Sequence, residues 1–140
     1  MNLEKINEND IFNLDIDNYY IYDCELDNNN LSCKSYIELL KYMMNYICDK
    51  KGMNELVNQS NYPSYFECEL DNDINNCNQF LFDFTKLNNR QMLNEIFELQ
   101  KLNNYSLSFG SESKLNNKYF YIVLLNNNCG NINYKCRNTK

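Results

Sequence analysis

The chain has no histidine, no tryptophan and no alanine. Histidine is the most frequent general base and the most frequent metal ligand of proteins, so its absence excludes Ser-His and Cys-His nucleophile pairs and imidazole metal sites. The three glycines (Gly52, Gly110 and Gly130) are far apart, which excludes a glycine-rich phosphate-binding loop. We therefore expect a protein that is not an enzyme.

Basic residues are also scarce. The chain has 13 Lys and Arg against 19 Asp and Glu, giving a net charge of −6. Because Lys and Arg dominate binding to phosphate backbones, this balance opposes a nucleic-acid partner and an anionic membrane surface. The longest apolar run, 119–125, is too short to span a bilayer, and residues 1–5 do not resemble a signal peptide. We expect a cytoplasmic or nuclear protein that is not secreted.

The seven cysteines are not arranged as a disulfide framework or a metal site. Their number is odd, and we interpret them as reduced thiols, several of them among apolar neighbours. No pair has the C-x₂-C or C-x₄-C spacing of a zinc site, the closest pairs being Cys24/Cys33, Cys68/Cys77 and Cys129/Cys136. We predict no metal and no cofactor.

The length of 140 residues, with 44% hydrophobic and 14% aromatic residues, predicts one domain, 1–140, with an aromatic-rich core. Asparagine runs separate the patterned segments and indicate turns. They are also typical of an AT-rich genome, for instance a viral or protozoan one. Residues 59–79 are rich in Asn, Asp and Ser, and we predict a mobile connection there.

Hydrophobic periodicity predicts an α+β fold that begins with a β-hairpin. Residues 11–17 alternate as a half-buried strand, and 19–26 form a second strand with Tyr20, Tyr22, Cys24 and Leu26 on one face. Short alternating segments follow at 66–70 and 80–84.

Two main amphipathic helices are predicted. The first runs from about Ser35 to Lys51, with a Ser35-x-x-Glu38 capping box, an apolar stripe and Gly52 at its end. A short helix at 53–58 follows. The second main helix runs from about 88 to 102. Its apolar positions are Met92, Leu93, Ile96, Leu99 and Leu102.

The C-terminal third is predicted to be rich in β structure. Residues 105–109 alternate, 110–117 are turn-like, and 119–125 form a β-rich run. Residues 126–131 contain Gly130 and are expected to return the chain into a strand at 132–136, which predicts a second hairpin.

Three segments resemble the BTB/POZ fold, in particular the small adaptor subunit of cullin–F-box ubiquitin ligases. They are residues 10–17 (DIFNLDID), 39–51 (LLKYMMNYICDKK) and 92–107, and together they cover about a quarter of the chain. The resemblance implies a surface that faces a cullin or a second copy. The chain departs from the family pattern in having little room for a helix after the second strand and in lacking the C-terminal F-box-binding helices, which puts F-box binding in doubt.

The favoured function is a non-enzymatic protein–protein interaction domain, with a BTB-like adaptor in ubiquitin-ligase assembly as its narrower form. The expected partner is a protein, either a cullin or the chain itself. Tyrosine is common at interfaces because it offers a large area at little entropic cost. The candidate contact residues are Tyr42 and Tyr46 on the first helix and Tyr62 and Tyr65 in the connection. Two alternatives remain: a structural or assembly subunit, and an enzyme that uses cysteine or carboxylates.

Overall fold

The structure is a computed structural model that describes residues 4–5, 19–68, 80–113, 118–124 and 132–138. It confirms the α+β class, with N-terminal strands, central helices and a β-rich C-terminal third. Its strands are β1 (Glu4–Lys5), β2 (Tyr19–Leu26), β3 (Asn29–Leu31), β4 (Phe66–Cys68), β5 (Phe80–Phe82), β6 (Leu107–Ser113), β7 (Lys118–Leu124) and β8 (Ile132–Asn138). Its α-helices are α1 (Tyr36–Lys51), α2 (Met53–Gln59) and α3 (Asn89–Asn103).

Six of these strands form one antiparallel sheet with the order β1-β8-β7-β6-β2-β3. The predicted pairing of the last two strands is confirmed, since β7 and β8 are antiparallel neighbours. The predicted turn at 110–117 is wrong for its first part, because residues 110–113 continue β6 and pair with both β2 and β7.

The predicted strand 19–26 is confirmed, and it forms a hairpin with β3 through Asp27 and Asn28. Both turn residues have positive φ (49° and 69°), as expected for a two-residue turn of this kind. The expected partner strand, 11–17, lies outside the described residues.

A β-bulge corrects the predicted face of β2. Tyr22 pairs with Gly110 but Glu25 pairs with Ser108, so β2 has one extra residue, and Asp23 takes a positive φ of 51°. Ile21 is therefore buried before the bulge and Cys24 and Leu26 after it. Tyr20 and Tyr22 belong to the opposite face, which strict alternation could not show.

Helix α1 agrees closely with its prediction. The Ser35 side chain caps the helix by accepting a hydrogen bond from the backbone N–H of Glu38 (3.2 Å). The carboxylate of Glu38 accepts from the backbone N–H of Lys34 rather than from that of Ser35, so the capping box is only half formed. Gly52 ends the helix with a φ of 91°. The predicted stripe is buried, at Tyr36, Leu40, Met43 and Ile47.

Helix α3 begins one residue later than predicted, after Asn88 as the N-cap. Asn88 and Gln91 form a complete capping box, and Asn104 ends the helix in the left-handed conformation. The expected apolar positions are buried except Leu102, which is 53% exposed. Leu102 lies in the last turn, where the buried face of the helix is continued by Asn103 instead.

The segment predicted as a mobile connection, 59–79, is in part regular structure. Residues 59–68 contain the end of α2, a 3-10 turn at Pro63–Tyr65 and strand β4. Strand β4 pairs with β5 in a separate two-stranded ribbon. Residues 69–79 lie outside the described residues.

The core lies between the helices and one face of the sheet. Its central side chains come from α1, α3, β2 and β6, for example Leu40, Met43, Ile96, Ile21 and Phe109, each fully buried. A hydrogen bond of 3.2 Å between the hydroxyls of Tyr36 and Ser111 joins α1 to the sheet through this core.

Candidate protein-binding surface

The predicted residues Tyr62 and Tyr65 lie together at the β4–β5 ribbon. Their rings stack with centroids 5.3 Å apart, and Tyr65 also contacts Phe82, at 6.0 Å. Phe66 and Phe84 pack on Phe82 from β4 and from the following 3-10 turn (Phe84–Lys86). We use the name ribbon platform for Tyr62, Tyr65, Leu81 and Phe82, of which the last three line one groove. Its rings are held by one another, so little rotamer freedom remains to be lost on binding.

A groove of about 230 Å³ runs along the ribbon platform. Tyr65 and Phe82 form its wall, and Leu81 beside it is 50% exposed. Its polar residues are Ser64, Glu67, Asp83 and Lys86. The groove therefore combines apolar and polar lining residues, and polar groups make up the larger part of its lining.

Lys86 is fixed at the edge of this groove. Its ammonium group lies 4.9 Å from the centroid of the Tyr65 ring and 3.8 Å from the carboxylate of Asp83. Asp83 in turn accepts hydrogen bonds from the backbone N–H and the hydroxyl of Thr85, which lower the pKa of its carboxyl. The groove therefore has a cation at a defined position on its rim.

The platform is positioned by a buried carboxylate, Glu95 of α3, whose side chain is completely buried. Its Oε2 accepts from the hydroxyl of Ser60 (2.6 Å), and its Oε1 accepts from the side-chain amide (3.0 Å) and the backbone N–H (3.4 Å) of Asn61. Ser60 Oγ also accepts from the backbone N–H of Tyr62 (3.0 Å). We call Glu95, Ser60 and Asn61 the Glu95 clamp. It fixes the chain just before the first platform residue.

Burial raises the pKa of the Glu95 carboxyl above its ordinary value, although the hydrogen bonds from Ser60 and Asn61 oppose this shift. Burial also raises the pKa of the Tyr62 hydroxyl, with a smaller contribution from the negative charge of Glu95. Burial therefore favours the neutral form of both groups.

A second link joins the same segment to α3. The side-chain amides of Gln59 and Asn103 bond reciprocally, with N···O distances of 3.1 and 2.6 Å. Asn103 also donates to the carbonyl of Leu99 (2.7 Å), and Gln59 donates to Glu55 (3.0 Å). The end of α2 is thus held to α3 immediately before the clamp.

The other predicted pair, Tyr42 and Tyr46, stacks on the flank of α1 with centroids 6.4 Å apart. Tyr46 donates its hydroxyl to Asp27 (3.1 Å), packs edge-on against Tyr105 (5.2 Å) and has the Lys50 ammonium group 4.9 Å from its ring centroid. It therefore ties α1 to the β2–β3 turn. Tyr42, 38% exposed, is the more available of the two. Among the described residues, no ring contact connects this pair with Tyr62 and Tyr65.

Three described cysteines are relevant to the alternative that the protein is an enzyme. They are Cys24, Cys33 and Cys48, and all three are free and buried. Cys24 donates to the carbonyl of Cys33 at 3.6 Å. The interaction with the Cys33 side chain, together with burial, raises the pKa of the Cys24 thiol, whereas the same interaction lowers that of Cys33. Burial also raises the pKa of Cys48. Cys33 is thus the one of these three described thiols whose pKa is lowered.

The sequence analysis named Tyr62 and Tyr65 as candidates but did not name Glu95, Leu81 or Lys86. Glu95 had a visible signal: it lies three residues after Met92 and four before Leu99, so a carboxylate stands on the apolar stripe of a helix. Leu81 and Lys86 had no such signal in the sequence, because they come to line the groove only when β4 pairs with β5.

Neither of two other kinds of site was found in the part of the chain that the structure describes. No group of three or more Cys, Asp or Glu side chains there could hold a metal ion. No helix there has the length and apolar character needed to cross a bilayer.

The fold and the platform define an α+β protein with a helix-covered antiparallel sheet and an aromatic surface ribbon. No protein-family model matches the chain, and no curated protein or solved structure matches it either. The resemblance to the BTB/POZ fold therefore stays a prediction.

Proposed function

We propose that the chain is a non-enzymatic protein–protein interaction domain and that the ribbon platform is its contact surface. The observation that carries this proposal is the half-exposed Leu81 at a groove that Tyr65 and Phe82 also line. An apolar side chain exposed beside a groove can bury its surface against a partner.

The groove favours an apolar side chain of a partner with polar groups around it. A volume of about 230 Å³ exceeds that of one large side chain. Lys86 and Glu67 on the rim offer one cation and one carboxylate for hydrogen bonds that fix the register of the partner. The acidic composition disfavours nucleic acid as the ligand.

The proposal also includes a cytoplasmic or nuclear location and, as its narrower form, the function of a BTB-like adaptor. Free, buried thiols at Cys24, Cys33 and Cys48 support a reducing cytoplasmic or nuclear compartment. A cullin is the partner that the BTB/POZ resemblance implies. Its recovery in the experiment below would support the adaptor form of the proposal.

Site-specific photo-cross-linking tests the platform. A photoreactive amino acid is placed at Leu81, and the matched control has it at Leu102, which is exposed to a similar degree on α3 (50% and 53%). We expect a discrete cross-linked protein from Leu81 that is absent from Leu102 in the native cell. The product should disappear when Tyr65→Ser is added, with circular dichroism confirming that the variant is folded. Identical products from both positions, or none from Leu81, would contradict the proposal.

A further inference from the structure

Two buried cysteines meet where strand β2 faces the segment that leads into helix α1. Cys24 lies in β2 and is 1% exposed, and Cys33 lies between β3 and α1 and is 9% exposed. The Cys24 thiol donates a hydrogen bond to the backbone carbonyl of Cys33, with 3.6 Å between sulfur and oxygen. Both cysteines are free, and neither belongs to the ribbon platform.

The local backbone explains how the two residues come together. Cys24 pairs with Leu31 at the end of the β2–β3 hairpin. If the ladder continued, Cys33 would be a diagonal neighbour of Cys24, with about 7–8 Å between their Cα atoms, which is too far for a disulfide. The ladder instead ends at Leu31, and the bulge at Asp23 changes the course of the chain beside Cys24. Released from the ladder, Cys33 places its carbonyl against the Cys24 sulfur.

The two thiols differ in acidity and in exposure. A hydrogen bond between the side chains, followed by burial, raises the pKa of Cys24, and the same hydrogen bond lowers the pKa of Cys33. Burial and the carboxylate of Glu38 oppose the lowering at Cys33. The thiolate is the nucleophilic form of cysteine, and Cys33 is also the more exposed of the two residues. An oxidant should therefore react at Cys33 first, with the Cys24 thiol next to it.

We propose that Cys24 and Cys33 are an oxidation site at which hydrogen peroxide forms a reversible disulfide. The Cys33 thiolate attacks one oxygen of the peroxide, the O–O bond breaks, and the leaving hydroxide takes up a proton to become water. Cys33 is then a sulfenic acid. The Cys24 thiol loses its proton and attacks the Cys33 sulfur, the S–O bond breaks, and the hydroxide leaves with that proton as a second water. The pair of thiols is oxidised, and the peroxide is reduced by the same two electrons.

The disulfide would connect β2 directly to the start of α1, because Cys33 is two residues before Ser35, the N-cap of that helix. Oxidation therefore replaces a weak S–H···O contact by a covalent bond at a junction between sheet and helix. In the reducing compartment proposed above, a disulfide of this kind is transient and senses oxidants. The pair shares no residue with the ribbon platform, and its oxidation does not depend on the proposed function.

Mass spectrometry of the unmodified chain tests the disulfide. Trypsin releases residues 6–34 as one peptide, which contains Cys24 and Cys33 and no other cysteine. The folded chain is treated with hydrogen peroxide, and the remaining thiols are blocked with N-ethylmaleimide in denaturant before digestion. We expect this peptide to lose the mass of two hydrogen atoms and to carry no N-ethylmaleimide. Dithiothreitol should restore both thiols.

Cys48 is the matched control within the same sample. It is exposed to nearly the same degree as Cys33 (8% and 9%), but burial and the charge of Asp49 raise its pKa. Trypsin releases it in a separate peptide, 42–50, in which it is the only cysteine. The 6–34 peptide should be oxidised at least about tenfold faster than Cys48.

Single variants test the order of the two steps. In Cys24→Ser, Cys33 should stop at the sulfenic acid, which dimedone traps. In Cys33→Ser, Cys24 should give no dimedone adduct at the same peroxide dose, and circular dichroism establishes that each variant is folded. The proposal is overturned if the 6–34 peptide of the unmodified chain keeps both thiols at every dose at which the chain stays folded. Trapping of Cys24 instead of Cys33, or recovery of Cys33 joined to a cysteine of another peptide, also overturns it.

Discussion

The Glu95 clamp leads to a prediction about stability. Glu95→Ala removes the acceptor of three hydrogen bonds, from the Ser60 hydroxyl and from two N–H groups of Asn61. Leaving such donors without a partner costs about 1–3 kcal/mol each when they are buried, but removal of a buried charge offsets part of the loss. We therefore expect the free energy of unfolding to fall by about 2–4 kcal/mol. Glu95→Gln keeps the Oε1 acceptor for Asn61 and should cost less than about 1 kcal/mol at pH 7.

The pH dependence of the same variants gives a sharper test. The folded-state pKa of Glu95 is raised because the carboxyl is buried, so the folded chain holds this proton more tightly than the unfolded chain. The stability that protonation contributes is fully present below the unfolded pKa and is lost as the pH rises through the folded pKa. The unmodified chain should consequently gain stability relative to Glu95→Gln as the pH falls from neutral towards the ordinary range of a glutamate.

Urea unfolding at a series of pH values, followed by circular dichroism because the chain has no tryptophan, measures this difference. Glu67→Gln, a change at an exposed carboxylate, serves as the control and should not show the trend. If the free energy of unfolding of the unmodified chain instead increased relative to that of Glu95→Gln as the pH rose, the reasoning would be refuted. The hydrogen bonds would then affect the pKa of Glu95 more than burial does. A loss below about 1 kcal/mol for Glu95→Ala would show that the clamp is not formed.

Three further predictions follow from buried groups of the described chain. Tyr105→Phe should leave stability unchanged or raise it by up to about 1 kcal/mol, because its buried hydroxyl has no hydrogen-bond partner in the described region; a clear loss in urea unfolding would contradict this. Gly110→Ala should destabilise the chain by about 1–3 kcal/mol through the clash with the Tyr22 ring, and Tyr22→Ala in the same chain should relieve most of the loss. In the folded state, iodoacetamide should label Cys24 slowly, since its pKa is raised; rapid labelling detected by mass spectrometry would favour the enzyme hypothesis.

The helices could be predicted from the sequence because their signals are local. Ser35 and Gly52 enclose a stripe of period 3.6, and each signal involves residues within one or two turns of one another. The exposure of Leu102 could not be predicted in this way. Its spacing continues the apolar stripe of α3, but Asn103 takes the buried position by bonding to Gln59, 44 residues earlier in the chain.

The sheet was less predictable because its register depends on distant strands. A single extra residue at Asp23 reverses the faces of β2, and nothing in its alternating pattern marks the position. Gly110 was interpreted as the start of a turn, although it is a strand residue required by the ring of Tyr22. Only the pairing of β2 with β6, about 90 residues apart, explains both features.

The Glu95 clamp and the ribbon platform are adjacent in the chain, so the dependence of one on the other can be tested directly. The clamp holds Ser60 and Asn61 immediately before Tyr62, the first platform residue. Glu95→Ala should therefore reduce cross-linking from position 81, whereas Tyr105→Phe, which changes a buried group outside the clamp, should leave it unchanged. If Glu95→Ala left the cross-linked product unchanged while the chain remained folded, the platform would not depend on the clamp for its position.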